Sequence, residues 1–181
     1  GTMSFSEILQ PVIELAENGY PVYQSLHDRL EQFSELFLSR YPSTAAIYLP
    51  GGKAPEVGDI IKNPDFGKSM RIMCDAEEAA KSQGRVAGIE AARDAFYKGP
   101  IAKRIAEFIR ENPVMDASGE AHAGLLSEED MAEWEATIEQ PVTYEYKGLD
   151  VYKCPPWTQG PVFLQQLAIL KGFDLQDQGH N

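Results

Sequence analysis

The segment from Tyr144 to Asp174 constrains the fold more than any other, because it combines the patterns of two strands, a sharp corner and a helix. Aromatic and β-branched residues flank Lys147-Gly148, which supplies the permissive backbone of a tight reversal, so a strand pair is predicted there. Pro155-Pro156 ends the pair, since proline cannot donate to a β-ladder. A helix is predicted from Gly160-Pro161 to Gly172, with apolar residues at nearly helical spacing.

The preceding part of the chain is predicted to be mostly helical, since apolar residues recur at three- and four-residue spacing between Gly and Pro positions. Pro11 lies within the first predicted helix, where it is expected to kink the helix or mark its effective start. Ser127-Glu128-Glu129-Asp130 has the form of a capping box, which explains this acidic cluster without catalysis. Helices are predicted over 4–19, 21–41, 66–83, 86–98 and 100–111, with a short strand at 44–49 and loops at 50–64 and 112–123.

The charge of the chain argues against two classes of partner. Its 16 Lys and Arg residues against 28 Asp and Glu residues give a net charge of −12, which repels phosphate backbones and anionic lipids. Neither nucleic acid nor a membrane is therefore expected as a partner, and no apolar run approaches the roughly 20 residues of a membrane span. Hydrophobic residues make up 43% of the 181, which is enough for one domain with a core.

Four ordered segments resemble the γ-glutamyltransferase family, also called γ-glutamyltranspeptidase or glutathione hydrolase. Three are L-Q-P-V-I-E-L-A-E-N-G-Y from Leu9, F-Y-K-G-P-I-A-K-R-I from Phe96 and G-L-L-S-E-E-D-M-A from Gly124. The fourth is the strand, corner and helix segment described above, which ends in I-L-K-G-F-D. The resemblance covers nearly the whole chain and identifies it as an interior segment of the family's large subunit.

The resemblance implies a fold class of α+β: a mostly helical fragment with a strand pair and a following helix, within the αββα fold of the N-terminal-nucleophile hydrolases. Residues 1–3 are expected to be an expression remnant, and residues 4–140 a helical lobe of the large subunit. Residues 141–181 are expected to form a strand-turn-helix unit that joins the central sandwich. Gly179-His180-Asn181 has no end signal, as is typical of a truncated segment.

The same resemblance implies an enzyme that needs no cofactor. Its precursor cleaves itself and exposes a threonine, which attacks a γ-glutamyl amide of the glutathione type and passes the acyl group to water or an amino acid. The family places this threonine in the small subunit of the same precursor, so that subunit is the expected partner and no catalytic residue is expected in this chain, which is predicted to be inactive alone. Family members are commonly periplasmic or secreted; no signal peptide is visible here, and the compartment stays open.

Trp157, Thr158 and Gln159 are the candidate substrate-binding residues. They occupy the turn P-P-W-T-Q-G, where many family members carry P-P-S-S-G-G, and a turn that leads into a helix can offer N–H groups to an anion. This turn has an aromatic ring and an amide where those members have small residues. The alternative to a glutathione-type substrate is therefore a non-glutamyl amide, cleaved by an acylase or amidohydrolase of the same family. The competing structural interpretation is that Trp157 packs and Thr158 caps the helix.

No metal site is predicted, because the ligand-type residues lie far apart in sequence. His27, His122 and His180 share no ligand spacing, and Cys74 and Cys154 have no cysteine near them.

The alternative to an enzyme, from another functional class, is a helical interaction module without chemistry.

Overall fold

The computed structural model describes residues 1–175, so the predicted end at Gly179-His180-Asn181 lies outside the described residues. The chain divides into two compact units, Gly1–Trp134 and Glu135–Asn181. Every helix within residues 1–175 falls short of the length and apolar character that a membrane span requires.

The first unit consists mainly of helices, and the segments between them contain two short antiparallel strand pairs. Strand β1 (Tyr20–Pro21) pairs with β2 (Ile60–Ile61), and β3 (Val114–Met115) pairs with β4 (Ala121–His122). The helices are α1 (Phe5–Asn18), α2 (Gln24–Arg40), α3 (Pro42–Tyr48), α4 (Pro64–Ala80), α5 (Arg85–Tyr97), α6 (Pro100–Glu111) and α7 (Glu128–Glu133).

Helix α1 begins at Phe5 because the residues just before it form a capping box. The Glu7 N–H donates to the Ser4 hydroxyl oxygen at 3.1 Å, and the Ser4 N–H donates to the Glu7 carboxylate at 2.7 Å. Each bond satisfies a backbone donor that the first helical turn leaves open. Pro11 therefore lies inside α1 and does not mark its start.

A side chain from helix α4 closes the same end of α1. The Glu77 carboxylate accepts from the backbone N–H groups of Phe5 at 2.7 Å and Ser6 at 2.9 Å. Farther along the two helices, the Arg71 guanidinium donates two hydrogen bonds to Glu17, both at 2.7 Å. Helices α1 and α4 are thus held together by charge-assisted bonds at two levels.

The prediction of a short strand at 44–49 is wrong, because helix α3 covers residues 44–48 and Leu49 caps its end. Pro42 occupies its first turn, where the fixed φ of proline suits a helix. Ala45 and Leu49 lie four residues apart, one helical turn, and are 6% and 2% exposed. This spacing places both against the core of the first unit, which also contains Val22, Leu30 and Ile61.

Other boundaries differ from the predictions where backbone pairing competes with helix formation. Helix α2 begins at Gln24 and not at residue 21, because Pro21 lies opposite Ile60 in the β1–β2 pair. The predicted loops at 50–64 and 112–123 contain strand β2 and the β3–β4 pair.

The second unit contains the predicted strand pair, which is confirmed. Strands β5 (Val142–Tyr146) and β6 (Leu149–Lys153) are antiparallel. The two residues between them, Lys147 and Gly148, have φ angles of 50° and 86°. A two-residue reversal needs this left-handed conformation at both positions, and glycine adopts it without strain.

Helix α8 (Gly160–Leu170) lies against this strand pair. Leu164 faces the strands and is 8% exposed, whereas Val162 and Ile169 are 52% and 66% exposed. The Lys171 ammonium forms an ion pair with Glu145 of β5, which ties the end of the helix to the strands. The start of α8, next to the end of β6, carries the candidate site.

Candidate functional site

Thr158 organises the turn between β6 and α8. Its hydroxyl donates to the Pro155 carbonyl oxygen at 3.1 Å and accepts from the Gly160 N–H at 3.0 Å. The Thr158 N–H also donates to the Pro155 carbonyl oxygen, at 3.0 Å. The hydroxyl is therefore committed to the turn, where it satisfies the N–H of the first residue of α8.

Gly160 allows the helix to start directly against the end of the strand. A Cβ atom at this position would lie 2.1 Å from the Cys154 carbonyl oxygen and 3.0 Å from Lys153 Cβ. Real side chains do not approach backbone oxygen this closely, so a larger residue would push the helix away from β6. The close approach brings the side chains of β6 and α8 to one surface.

Trp157 does not pack into the core of the second unit, since 71% of its surface is exposed. Its indole N–H donates to the Glu139 carboxylate at 2.6 Å, and the Thr137 hydroxyl donates to the other oxygen of that carboxylate at 3.2 Å. Trp157 thus ties the segment before β5 to the turn. The Trp157 side chain serves this tether and does not line the cleft described next.

A cleft of about 430 Å³, the β6–α8 cleft, opens beside the turn. It brings together two of the three residues predicted from the sequence, Thr158 and Gln159. Two lining residues that sequence reasoning missed are Lys153 and Gln166. Its lining consists of Lys153, Cys154, Thr158, Gln159, Gly160, Val162, Phe163 and Gln166.

The missed residues had a sequence signal. Gln166 follows Gln159, the residue that precedes α8, by seven positions, which is close to two helical turns, so both amides lie on one side of the helix start. Lys153 is the last residue of β6 and lies two positions before the Pro155-Pro156 corner. Periodicity of apolar residues, which decided the helix prediction, gives no weight to polar residues on the same face.

The cleft has one charged residue, the partly buried Lys153. Its Nζ lies 5.1 Å from the centroid of the Phe163 ring, a cation–π distance. The start of α8 adds little for an anion, because the Gly160 N–H is bonded to Thr158 and Pro161 has no N–H. The cleft therefore combines one cation, two amides and an apolar wall.

The histidines within residues 1–175 are held in separate local contacts. His27 Nδ1 lies 2.9 Å from the Pro55 carbonyl oxygen, and His122 Nδ1 lies 2.7 Å from the Asp116 carboxylate. His180 lies outside the described residues. Within the described part of the chain, no three His, Cys, Asp or Glu side chains come together as a metal site.

The acidic cluster at the start of α7 is a capping box, as predicted. The Asp130 N–H donates to the Ser127 hydroxyl at 3.1 Å, and the Ser127 N–H donates to the Asp130 carboxylate at 2.9 Å. The hydrogen bonds from the Ser127 side chain and backbone lower the pKa of Asp130. The cluster thus has a structural role.

Comparison with known proteins identifies one family along the whole chain. The family model described as Gamma-glutamyltranspeptidase matches residues 1–181. The glutathione hydrolase proenzyme of Escherichia coli (strain K12) is 29% identical over 180 residues, which are 99% of this chain and 27% of that protein. The chain thus spans about a quarter of the length of the curated relatives it matches.

Two solved structures superpose on most of the chain. The structure of LmbA2991T421A has a TM-score of 0.83 at 39% identity and covers 94% of this chain and 29% of that one. The cephalosporin acylase from Bacillus halodurans has a TM-score of 0.72 at 25% identity and covers 96% of this chain and 28% of that one. Most of the described helices and strand pairs therefore have counterparts inside larger proteins.

Proposed function

This chain belongs to the γ-glutamyltranspeptidase family, and from that premise we propose that the protein it forms part of cleaves γ-glutamyl amides of the glutathione type. The predicted family and the fold class, a mostly helical α+β part of an N-terminal-nucleophile hydrolase, are confirmed. The observation that carries the functional proposal is the match of residues 1–181 to the family model, supported by the alignment to a glutathione hydrolase proenzyme.

The proposed reaction proceeds through an acyl-enzyme. A threonine hydroxyl oxygen attacks the γ-amide carbon, its proton passes through the threonine's own α-amino group to the leaving amine, and the C–N bond breaks. Water or the amine of an amino acid then attacks the γ-glutamyl ester, which releases glutamate or a new γ-glutamyl amide and restores the hydroxyl.

The nucleophile belongs to the small subunit of the same precursor, which is the proposed partner of this chain. Relatives that carry the name proenzyme support a processed precursor. This chain contributes to the large subunit: residues 4–140 form a helical lobe, and residues 141–181 join the central sandwich. Thr158 and Gln159 lie on the wall that faces the substrate, and the chain alone is inactive.

The test is made on the complete reading frame. Its splitting into two subunits is followed by gel electrophoresis, and the release of p-nitroaniline from γ-glutamyl-p-nitroanilide is measured on the same preparation, with the 181-residue chain as the blank. We expect splitting and release, and no release from the blank. Absence of both would contradict the proposal and favour the non-catalytic interaction module.

A second candidate substrate is a non-glutamyl amide. It is supported by the Trp157-Thr158-Gln159 turn, which replaces small residues, and by the similarity to a cephalosporin acylase. A panel of p-nitroanilides with γ-glutamyl, glutaryl and phenylacetyl groups distinguishes the two. A kcat/KM at least about tenfold higher for a non-glutamyl anilide would establish the acylase and exclude the glutathione-type substrate, since tenfold corresponds to about 1.4 kcal/mol of transition-state preference.

A further inference from the structure

We propose that the β6–α8 cleft binds the carboxylate of a small organic acid whose remaining part is aromatic or branched and apolar. The inference concerns binding and does not require the amide chemistry proposed above. It depends on three features of the cleft: a partly buried cation, two uncommitted amides and an apolar wall. These are supplied by Lys153, by Gln159 and Gln166, and by Val162 and Phe163.

Lys153 differs from the other lysines within residues 1–175, all of which are exposed, because it alone is partly buried. Four of the others, Lys68, Lys81, Lys98 and Lys171, pair with carboxylates. The Lys153 ammonium has neither an ion pair nor a hydrogen bond within the described residues. Partial removal of a cation from water is unfavourable without such a partner, so the three N–H donors of Lys153 provide a site for an anion.

The Lys153 side chain is held in place for this role. The start of α8 packs closely against it, as a Cβ on Gly160 would lie only 3.0 Å from Lys153 Cβ. Its Nζ lies over one face of the Phe163 ring at 5.1 Å from the centroid. Contact with the ring fixes the cation but uses none of its hydrogen bonds, which remain available to a carboxylate.

The two amides follow from the helix geometry. Gln159 directly precedes α8 and Gln166 lies seven positions later in the helix, with Val162 and Phe163 between them at three- and four-residue spacing. Neither glutamine side chain makes a hydrogen bond to another residue within 1–175. Each can therefore donate its NH₂ group to a carboxylate oxygen, while the hydroxyl of Thr158 is already committed to the turn.

Charge makes the cleft selective for an anion within an acidic chain. The net charge is −12, yet neither Asp nor Glu lines the β6–α8 cleft. A carboxylate is repelled by much of the surface and attracted at Lys153. The apolar side chains Val162 and Phe163, which are 52% and 43% exposed, then provide contact area for a ring or a branched chain.

Isothermal titration calorimetry with phenylacetate, and with phenylacetamide as its neutral counterpart, tests the inference on the complete protein. We expect phenylacetate to bind at least tenfold more tightly than phenylacetamide. Lys153→Met removes this preference and Lys153→Arg retains it. Lys147→Met is the matched control, because Lys147 also lies over an aromatic ring, Tyr146 at 5.7 Å, but is outside the cleft; it leaves both affinities unchanged.

Gln166→Glu keeps the test decisive if Lys153→Met does not fold. Gln166 is exposed, so the variant retains its fold, and the added negative charge weakens phenylacetate at least tenfold while phenylacetamide is unaffected. The inference is overturned if wild type does not discriminate between the two ligands, or if Lys147→Met weakens phenylacetate as much as Lys153→Met does. Release of p-nitroaniline, measured in parallel, separates this failure from failure of the proposed reaction.

Discussion

Helix α1 in the first unit and helix α8 in the second begin in different ways. At α1, the side chains of Ser4, Glu7 and Glu77 supply acceptors for four successive backbone N–H groups, those of residues 4 to 7. At α8, the only side-chain acceptor within the described residues is the Thr158 hydroxyl, and no acidic residue lies in the first turn. The first start is closed by charge and serves stability. The second is capped by a neutral hydroxyl and lies beside the cleft that contains Lys153.

The largest expected loss of stability comes from a substitution at the start of α8. Gly160→Ala places a Cβ where the Cys154 carbonyl oxygen is 2.1 Å away, so the helix must move off the strand at a cost of about 3 kcal/mol in the free energy of unfolding. Urea denaturation of the complete protein measures it. Gly172→Ala is the control, since a Cβ there would lie an ordinary 3.5 Å from the Ile169 carbonyl oxygen; equal losses in the two variants would contradict the steric account.

Removal of the tertiary cap from the first start has the next largest effect. Glu77→Ala leaves the N–H groups of Phe5 and Ser6 without their acceptor and lowers the free energy of unfolding by about 2 kcal/mol. Hydrogen exchange of the first turn of α1 should accelerate in parallel. The neighbouring Glu78→Ala removes only a surface pair with Lys81 and is the control. A change as large in that variant would contradict the cap.

The corresponding change in the second start is smaller, because Thr158 is a neutral cap. Thr158→Val removes the acceptor of the Gly160 N–H and destabilises the turn by about 1 kcal/mol, measured by urea denaturation. Thr143→Val, an exposed position on β5, is the isosteric control and should be neutral. If Thr143→Val is as destabilising as Thr158→Val, the hydroxyl of Thr158 is not the cause.

The start of α1 is expected to respond to pH because Glu77, which accepts two of its backbone hydrogen bonds, is a carboxylate, whereas the acceptor at α8 is the neutral Thr158 hydroxyl. Burial raises the pKa of Glu77, but the hydrogen bonds from Phe5 and Ser6 outweigh it and leave the pKa below the usual value. A lowered pKa in the folded state contributes stability above the unfolded value of about 4.3, and this is lost as the pH falls through the folded value. The protection factors of the first α1 amides, which correct for the pH dependence of intrinsic exchange, should therefore fall below about pH 4.3. Glu77→Gln should flatten this pH dependence. An unchanged pH profile in that variant would contradict the assignment of the dependence to Glu77.

The smallest expected effect is at His27, whose pKa shifts in the opposite direction to that of Glu77. The hydrogen bond with the Pro55 carbonyl oxygen raises the pKa of His27, although burial opposes it. This contribution is complete below the unfolded pKa of about 6.5 and is lost as the pH rises through the higher folded value. NMR titration of the His27 ring should give a midpoint above that of His27 in the urea-unfolded protein; a lower midpoint would contradict the contact.

Predictions from the sequence succeeded where the chemistry is local. Lys147-Gly148 and Ser127-Asp130 act through residues at most three positions apart, and the structure has both as predicted. The strand predicted at 44–49 is wrong because burial of Ala45 and Leu49 against the core favours a helix there. Which residues are buried depends on tertiary packing and not on local propensity. In the candidate site, Thr158 and Gln159 line the cleft and Trp157 does not, because its indole reaches Glu139, eighteen positions away.

The sequence by itself determined the family, most of the helices and the reversal between β5 and β6, since these depend on motifs and on residues close along the chain. The tertiary structure alone decided that Glu77 caps α1 from 72 positions away and that Lys153 lies over the Phe163 ring in a cleft that Gln166 also lines. The physical reason is that such contacts depend on which faces pack together, and a side chain's partners are known only after the backbone has brought distant segments into range.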